Sequence, residues 1–243
     1  MGFKKKIYMF VLIGGNILIF QSEYFTSNKL NLYETLNFLE HIHTKKDSNS
    51  SPLIKISDNI YLLDNIYINS ETKEIHIPGI VNLQRGMIEL AACADGGKLH
   101  ESIFLLNIVP YYLHVALLLI GLDYKGGVEY QGDSTTPQGD SLEIYVMWKY
   151  NGLDTVVRLE DCIWDIKNNQ TMQHTCWIFS GSKIINGKYM ADVERSIITT
   201  YHDPYTIIDN PLSTGSDDEV YRINDKLVPS KGTAVKLILK KYK

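Results

Sequence analysis

Within five positions the chain places a cation, an imidazole, a carboxylate and a hydroxyl: Lys98, His100, Glu101 and Ser102. They sit in the otherwise apolar stretch from Gly86 to Leu122. A polar or charged group at a position that reads as sheet core must find a partner or a ligand. Three chemistries compete for the cluster. In the favoured one, His100 and Glu101 satisfy backbone groups or each other and fix a hairpin against the helix that follows. His100→Ala would then cost roughly 1 to 3 kcal/mol. In the second, His100 joins His114 and nearby carboxylates around a divalent metal such as zinc or iron. No H-x-x-x-H or H-x-x-E spacing puts two such ligands on one element. In the third, Ser102 or Cys93 is a nucleophile with His100 as its base, although no G-x-S-x-G elbow is present.

Two elements must position this cluster. If Gly96-Gly97 is a two-residue hairpin loop, Asp95 faces Lys98, Cys93 faces His100 and Ala91 faces Ser102. A helix over Pro110–Ile120 follows. Proline at its first turn sacrifices no hydrogen bond, and Gly121 suits its end. Val115–Ile120 contains no polar residue, so this helix is predicted to be buried. His114 on such a helix is expected to be a neutral, hydrogen-bonded core histidine.

Weaker candidates lie further on. The segment Tyr201-His202-Asp203-Pro204 reads most simply as the end of a strand, since Asp favours turns and the residue before proline leaves helical space. Asp217, Asp218 and Glu219 offer oxygens to calcium but lack the alternate-position pattern of a calcium loop, so a solvated turn is favoured. Asp192 is a further candidate.

The remainder from Leu53 onward reads as β structure. A hairpin is predicted from Ile66–Ile68 and Glu74–Ile77. Leu142–Tyr150 alternates apolar and polar residues and turns at Asn151-Gly152 into Thr155–Leu159. Further strands are expected at Gln173–Phe179, Glu194–Thr200, Val220–Ile223 and Ala234–Lys241. The predicted class is α+β, β-dominated, with antiparallel sheets and one buried helix at about 110–120.

Across 243 residues, 44% hydrophobic content is ordinary for a globular core. The net charge of −4 offers no basic field, which argues against a nucleic-acid partner. There are three cysteines, Cys93, Cys162 and Cys176. In an oxidising compartment Cys162 and Cys176 can close a loop of about 15 residues, worth roughly 3 kcal/mol.

At the N-terminus Lys4-Lys5-Lys6 precedes the apolar run Ile7–Phe20, the pattern of an export signal. The run is short for a membrane span, which needs about 20 residues. Residues 1–22 are therefore read as a signal peptide or membrane anchor. Residues 23–51 are read as a linker, in which Leu30, Leu32, Leu36 and Leu39 suit a short helix and His41 and His43 are solvated. Residues 52–243 form the domain.

The glycine pair with its Lys-x-His-Glu-Ser run (Gly96–Ser102) and the helix Pro110–Gly121 resemble the signature of the bacterial YdjY-domain proteins. The likeness continues through Trp177, Gly181-Ser182, Tyr189–Asp192, Tyr201–Pro204, Asn210-Pro211, Asp217–Val220 and Pro229–Val235, covering Asp64 to the C-terminus. It carries no established catalytic residue. Some relatives carry a ferredoxin-type cysteine run, but no closely spaced cysteine pair occurs here, so no iron–sulfur cluster is expected. The resulting expectation is an exported, extracytoplasmic protein of the cell envelope. It would be a non-catalytic binding or accessory module for an envelope protein or small ligand, with a possible membrane tether and no required cofactor. The alternative is a metal-dependent enzyme using His100, His114 and carboxylates.

Overall fold

The structure is a computed structural model that describes residues 53–242 and, as backbone alone, two further strands. These strands, Ile7–Ile13 and Asn16–Ser22, pair antiparallel from Ile7↔Ser22 to Ile13↔Asn16. Lys4–Lys6 and the connector, with its leucines and with His41 and His43, lie outside the described residues.

Eight strands carry the domain: β1 (Glu74–Val81), β2 (Leu90–Ala94), β3 (Ser102–Leu106), β4 (Ser141–Tyr150), β5 (Trp177–Phe179), β6 (Ser196–Thr199), β7 (Ile208–Asp209) and β8 (Ala234–Lys241). They close in the order β4-β5-β7-β6-β2-β3-β1-β8 and back to β4, forming a barrel. Closure leaves no free edge within this ring.

The period-2 alternation of β4 buries Leu142, Ile144, Val146 and Trp148, and β8 and β1 match it. One buried row runs Val146–Leu237–Ile77 across three strands, and the next runs Ile144–Leu239–Ile75. Each such aliphatic side chain contributes about 1.5 to 3 kcal/mol of burial. Outside the wall, Arg158 bonds Glu143 at 2.7 Å and the fully buried Glu160 at 2.8 Å, and it lies over the Tyr145 ring.

Strands β1 and β4 are long enough to divide one edge between two partners. β1 pairs first with Ile66–Asn69, and from Gly79 onward with β3. The change falls at Pro78, which has no N–H to give a ladder. The next position must be glycine, because a Cβ on Gly79 would lie 2.7 Å from the Leu105 carbonyl oxygen. On β4, Tyr145–Tyr150 pairs with Leu153–Arg158 around Asn151-Gly152, both at positive φ as the hairpin requires.

The sheet is mixed, which corrects the antiparallel expectation. β6 and β7 run parallel, and so do β2 and β3. The predicted Gly96-Gly97 hairpin does not form. Leu90 pairs with Ser102 and Ala92 with Phe104, so the chain passes back along β2 before β3 begins. A five-residue strand rises only about 13 to 17 Å, whereas the seven residues 95–101 reach roughly 23 Å, enough to return without a crossover helix. Gly96 turns the chain at φ 83°, and Leu99–Glu101 curls into a 3-10 turn that ends the alternation. All of β2 (LAACA) is buried, as expected of a strand covered on both faces. The connection between β6 and β7, residues 200–207, returns in the same way.

Helix α1 (Pro110–Leu119) is buried along Tyr111, Leu113, Val115, Ala116 and Leu117, as its composition predicts. A five-residue helix, α2 (Met190–Glu194), lies against it. None of the described helices is long and apolar enough to cross a membrane.

Candidate functional site

The return segment between β2 and β3 carries the charged cluster. Lys98 Nζ donates to Glu89 Oε2 at 2.7 Å and contacts Glu101 Oε1 at 3.1 Å. Gln131 Nε2 donates to the same Glu89 oxygen at 3.0 Å. His100 Nε2 lies 3.6 Å from Glu101 Oε2, and its side chain is 80% exposed. The structure thus gathers Lys98, His100 and Glu101 at the surface and adds two groups that sequence reasoning missed, Glu89 and Gln131. Burial raises the Glu101 carboxyl, against the pull of Lys98 and with help from the negative charge of Glu89. For Lys98, burial works downward, but its two carboxylates outweigh it and the ammonium sits above its ordinary range.

Ser102 turns inward. It is fully buried, and its hydroxyl donates to the Lys98 carbonyl at 2.9 Å. Asn82, also unforeseen, donates from its amide to the carbonyls of Leu99 and Ser102, at 2.6 and 2.8 Å. The return segment is therefore held by side-chain hydrogen bonds where strand pairing cannot hold it. Cys93 beside it is fully buried, and burial pushes its thiol up, away from the thiolate a nucleophile needs. Cys162 is a buried thiol and Cys176 a half-buried one.

His114 lies apart from this surface. It is buried inside a ring of aromatics, with centroids 4.8 Å from Tyr124, 5.1 Å from Phe179 and 5.5 Å from Tyr189. Its Nδ1 is 2.9 Å from the Tyr189 hydroxyl and 3.1 Å from the Gly181 carbonyl. Burial drives the imidazole down to about 4, so it is neutral, as the helix sequence predicts. Asp192 belongs to the same neighbourhood. Its Oδ1 accepts the Tyr111 N–H at 2.9 Å, and burial raises its carboxyl despite that bond. Ser182 links α2 to the loop after β6, donating to the Tyr205 carbonyl and accepting the Ala191 N–H.

The remaining candidates divide similarly. His202 is buried between main-chain carbonyls, and Asp203 accepts from Ser196 and from the Tyr205 N–H. Asp217 pairs with Lys167, which holds its carboxyl below the usual range, and it also accepts the Glu219 N–H; Asp218 is exposed. This is the geometry of a solvated turn. Asp209, which sequence reasoning passed over, is fully buried. Its Oδ1 accepts from Thr199 and Asn210, its Oδ2 has no partner among the described residues, and burial holds the carboxyl well above its usual range. Among the described residues no three histidine, cysteine, aspartate or glutamate side chains are grouped to hold a metal ion. The proposed ligands His100 and His114 differ in setting, one exposed and the other enclosed.

No curated protein matches the chain, and no solved structure matches it. The YdjY domain model matches residues 66–240, which span the barrel from β1 to all but the last residue of β8 and include every candidate named above. That match covers well over half of the 243 residues, and the chain belongs to the YdjY domain family.

Proposed function

We propose that this chain is an exported binding or accessory module of the cell envelope rather than an enzyme. Its contact face would be the surface formed by Lys98, His100 and Glu101 with Glu89 and Gln131. One observation carries the reading: the side chains suited to catalysis are occupied as structural ties, while the charged cluster stands at the surface. Ser102 donates to the Lys98 carbonyl, His114 is neutral and enclosed, and the Cys93 thiol is buried and pushed up. A nucleophile needs a base within hydrogen-bond reach, and a general base needs a pKa near the working pH. The partner would be an envelope protein or a small ligand. Export rests on Lys4–Lys6 and the apolar run that follows.

Metal analysis by mass spectrometry on full-length protein purified without a histidine tag tests the first part. Substoichiometric metal supports the module, and stoichiometric zinc or iron overturns it in favour of a metal-dependent enzyme. Cell fractionation tests the second part. The protein is expected in the extracytoplasmic or membrane fraction, and recovery of the full-length chain only from soluble cytoplasm rejects export.

A further inference from the structure

The His202 imidazole is 1% exposed, and each ring nitrogen faces a main-chain carbonyl oxygen. Nδ1 lies 2.6 Å from the Asp133 oxygen and Nε2 lies 2.9 Å from the Asn210 oxygen. A carbonyl oxygen only accepts. A neutral imidazole has one N–H and one bare lone pair, so either tautomer would set lone pair against lone pair at one of these short contacts. Rotating the ring by half a turn would put carbons where the nitrogens are and lose both bonds. Only the doubly protonated ring satisfies both carbonyls. The ring has no room to withdraw, since a Cβ on Gly215 would lie 2.2 Å from Nε2.

The charged groups around it agree. On the facing turn, Asp133 is held below the usual carboxylate range by the Thr135 and Glu129 N–H groups, and the charge of His202 adds to this. Asp203, on the same loop, is engaged by Ser196 and the Tyr205 N–H. Asp209, on the adjoining strand, is held well above its usual range by burial. Asp217 and Asp218 follow the turn that contains Gly215.

This residue also joins three segments through its backbone and ring. Its carbonyl accepts the Gly132 N–H at 2.9 Å, its own N–H donates to Gly215 at 2.7 Å, and its ring reaches Asp133 and Asn210. The turn Tyr130–Asp133 carries Gln131, which bonds Glu89 next to Lys98. We infer that His202 is a buried imidazolium whose second ring proton latches the Tyr130–Asp133 turn onto the loop at 201–203, placing Gln131 on the Lys98 face under control of pH. The inference deepens the reading of that face as a contact surface, but the protonation of the ring stands without it. Loss of a ring proton as pH rises would leave one carbonyl facing a lone pair and loosen the turn, while the barrel wall stays paired.

Long-range proton–nitrogen NMR of the imidazoles in the full-length protein tests this, with His202 assigned through backbone-linked spectra so that no variant is required. At about pH 7, where an ordinary imidazole is mostly neutral, both His202 nitrogens are expected to carry protons. As pH is raised, loss of that proton should coincide with faster exchange of the Gly132 amide, corrected for intrinsic pH dependence, and the Ile144 amide should not follow. In His202→Gln, the pH dependence at Gly132 should vanish. A neutral ring with one bare nitrogen at about pH 7 overturns the inference, as does a ring that titrates with no change at Gly132. Neither result bears on metal content, so the module reading fails or survives separately.

Discussion

The carboxylate of Asp192 caps α1 from 81 residues away, its Oδ1 accepting the Tyr111 N–H at 2.9 Å. The helix needs this. Its N-cap residue is Val109, whose side chain cannot accept a hydrogen bond, so the first-turn N–H of Tyr111 is met by a residue from α2. Asp192→Ala should therefore lower the unfolding free energy by about 1 to 2 kcal/mol, the usual cost of a lost cap. Denaturant unfolding of the two proteins measures it. An unchanged midpoint would show that the bond adds nothing to α1.

His114 gives stability a definite acid dependence. Its imidazole is pushed from 6.5 down to about 4 by burial, so the unfolded chain binds the proton first. The contribution is present above the unfolded value and is lost as pH falls from 6.5 towards 4. At about 1.36 kcal/mol per pH unit this reaches about 3 kcal/mol at its fullest. In His114→Phe that part of the pH dependence should disappear when the unfolding free energy is followed across this window.

Asp209 works in the opposite direction. Its carboxyl is held well above 3.8 by burial, so the folded protein keeps a proton that the unfolded chain releases. Its contribution weakens as pH rises above 3.8. Asp209→Asn retains a neutral group of similar shape, and its stability relative to wild type should increase as pH rises above 3.8. Parallel stability curves for the two proteins would show that Asp209 is not the buried acid described.

His100 and Ser102 should separate cleanly. The exposed imidazole tolerates His100→Ala with a change within about 0.5 kcal/mol, in place of the loss that a packed histidine would give. Ser102→Ala removes a buried donor from the Lys98 carbonyl and should cost about 1 to 2 kcal/mol. Thermal and denaturant unfolding of both variants decide the ranking, and the reverse order would refute the described geometry.

A buried helix at Pro110 is legible in the sequence, because proline, glycine and an uninterrupted apolar run are local signals. The hairpin at Asn151-Gly152 and the alternation of Leu142, Ile144, Val146 and Trp148 are local in the same sense. The neutrality of His114 follows from its apolar helix, even though its partners Gly181 and Tyr189 do not. The course of residues 95–101 is different. A glycine pair before Lys98 suits a hairpin and a return loop equally, and only the pairing of Leu90 with Ser102 selects the second. The buried run Leu90–Ala94 was the available hint, since alternation fails where both faces are covered. Once the register changes, so does the site. Glu89 and Gln131 join Lys98, Ser102 turns inward, and His100 is left in solvent. Asp192 on Tyr111 and His202 between Asp133 and Asn210 are bonds across 81, 69 and 8 residues. The sequence by itself determined which segments bury apolar surface, because periodicity and turn chemistry act over a few residues. Only the tertiary structure decided which polar groups meet, because the partner of a buried donor or acceptor is set by barrel closure, not by proximity along the chain.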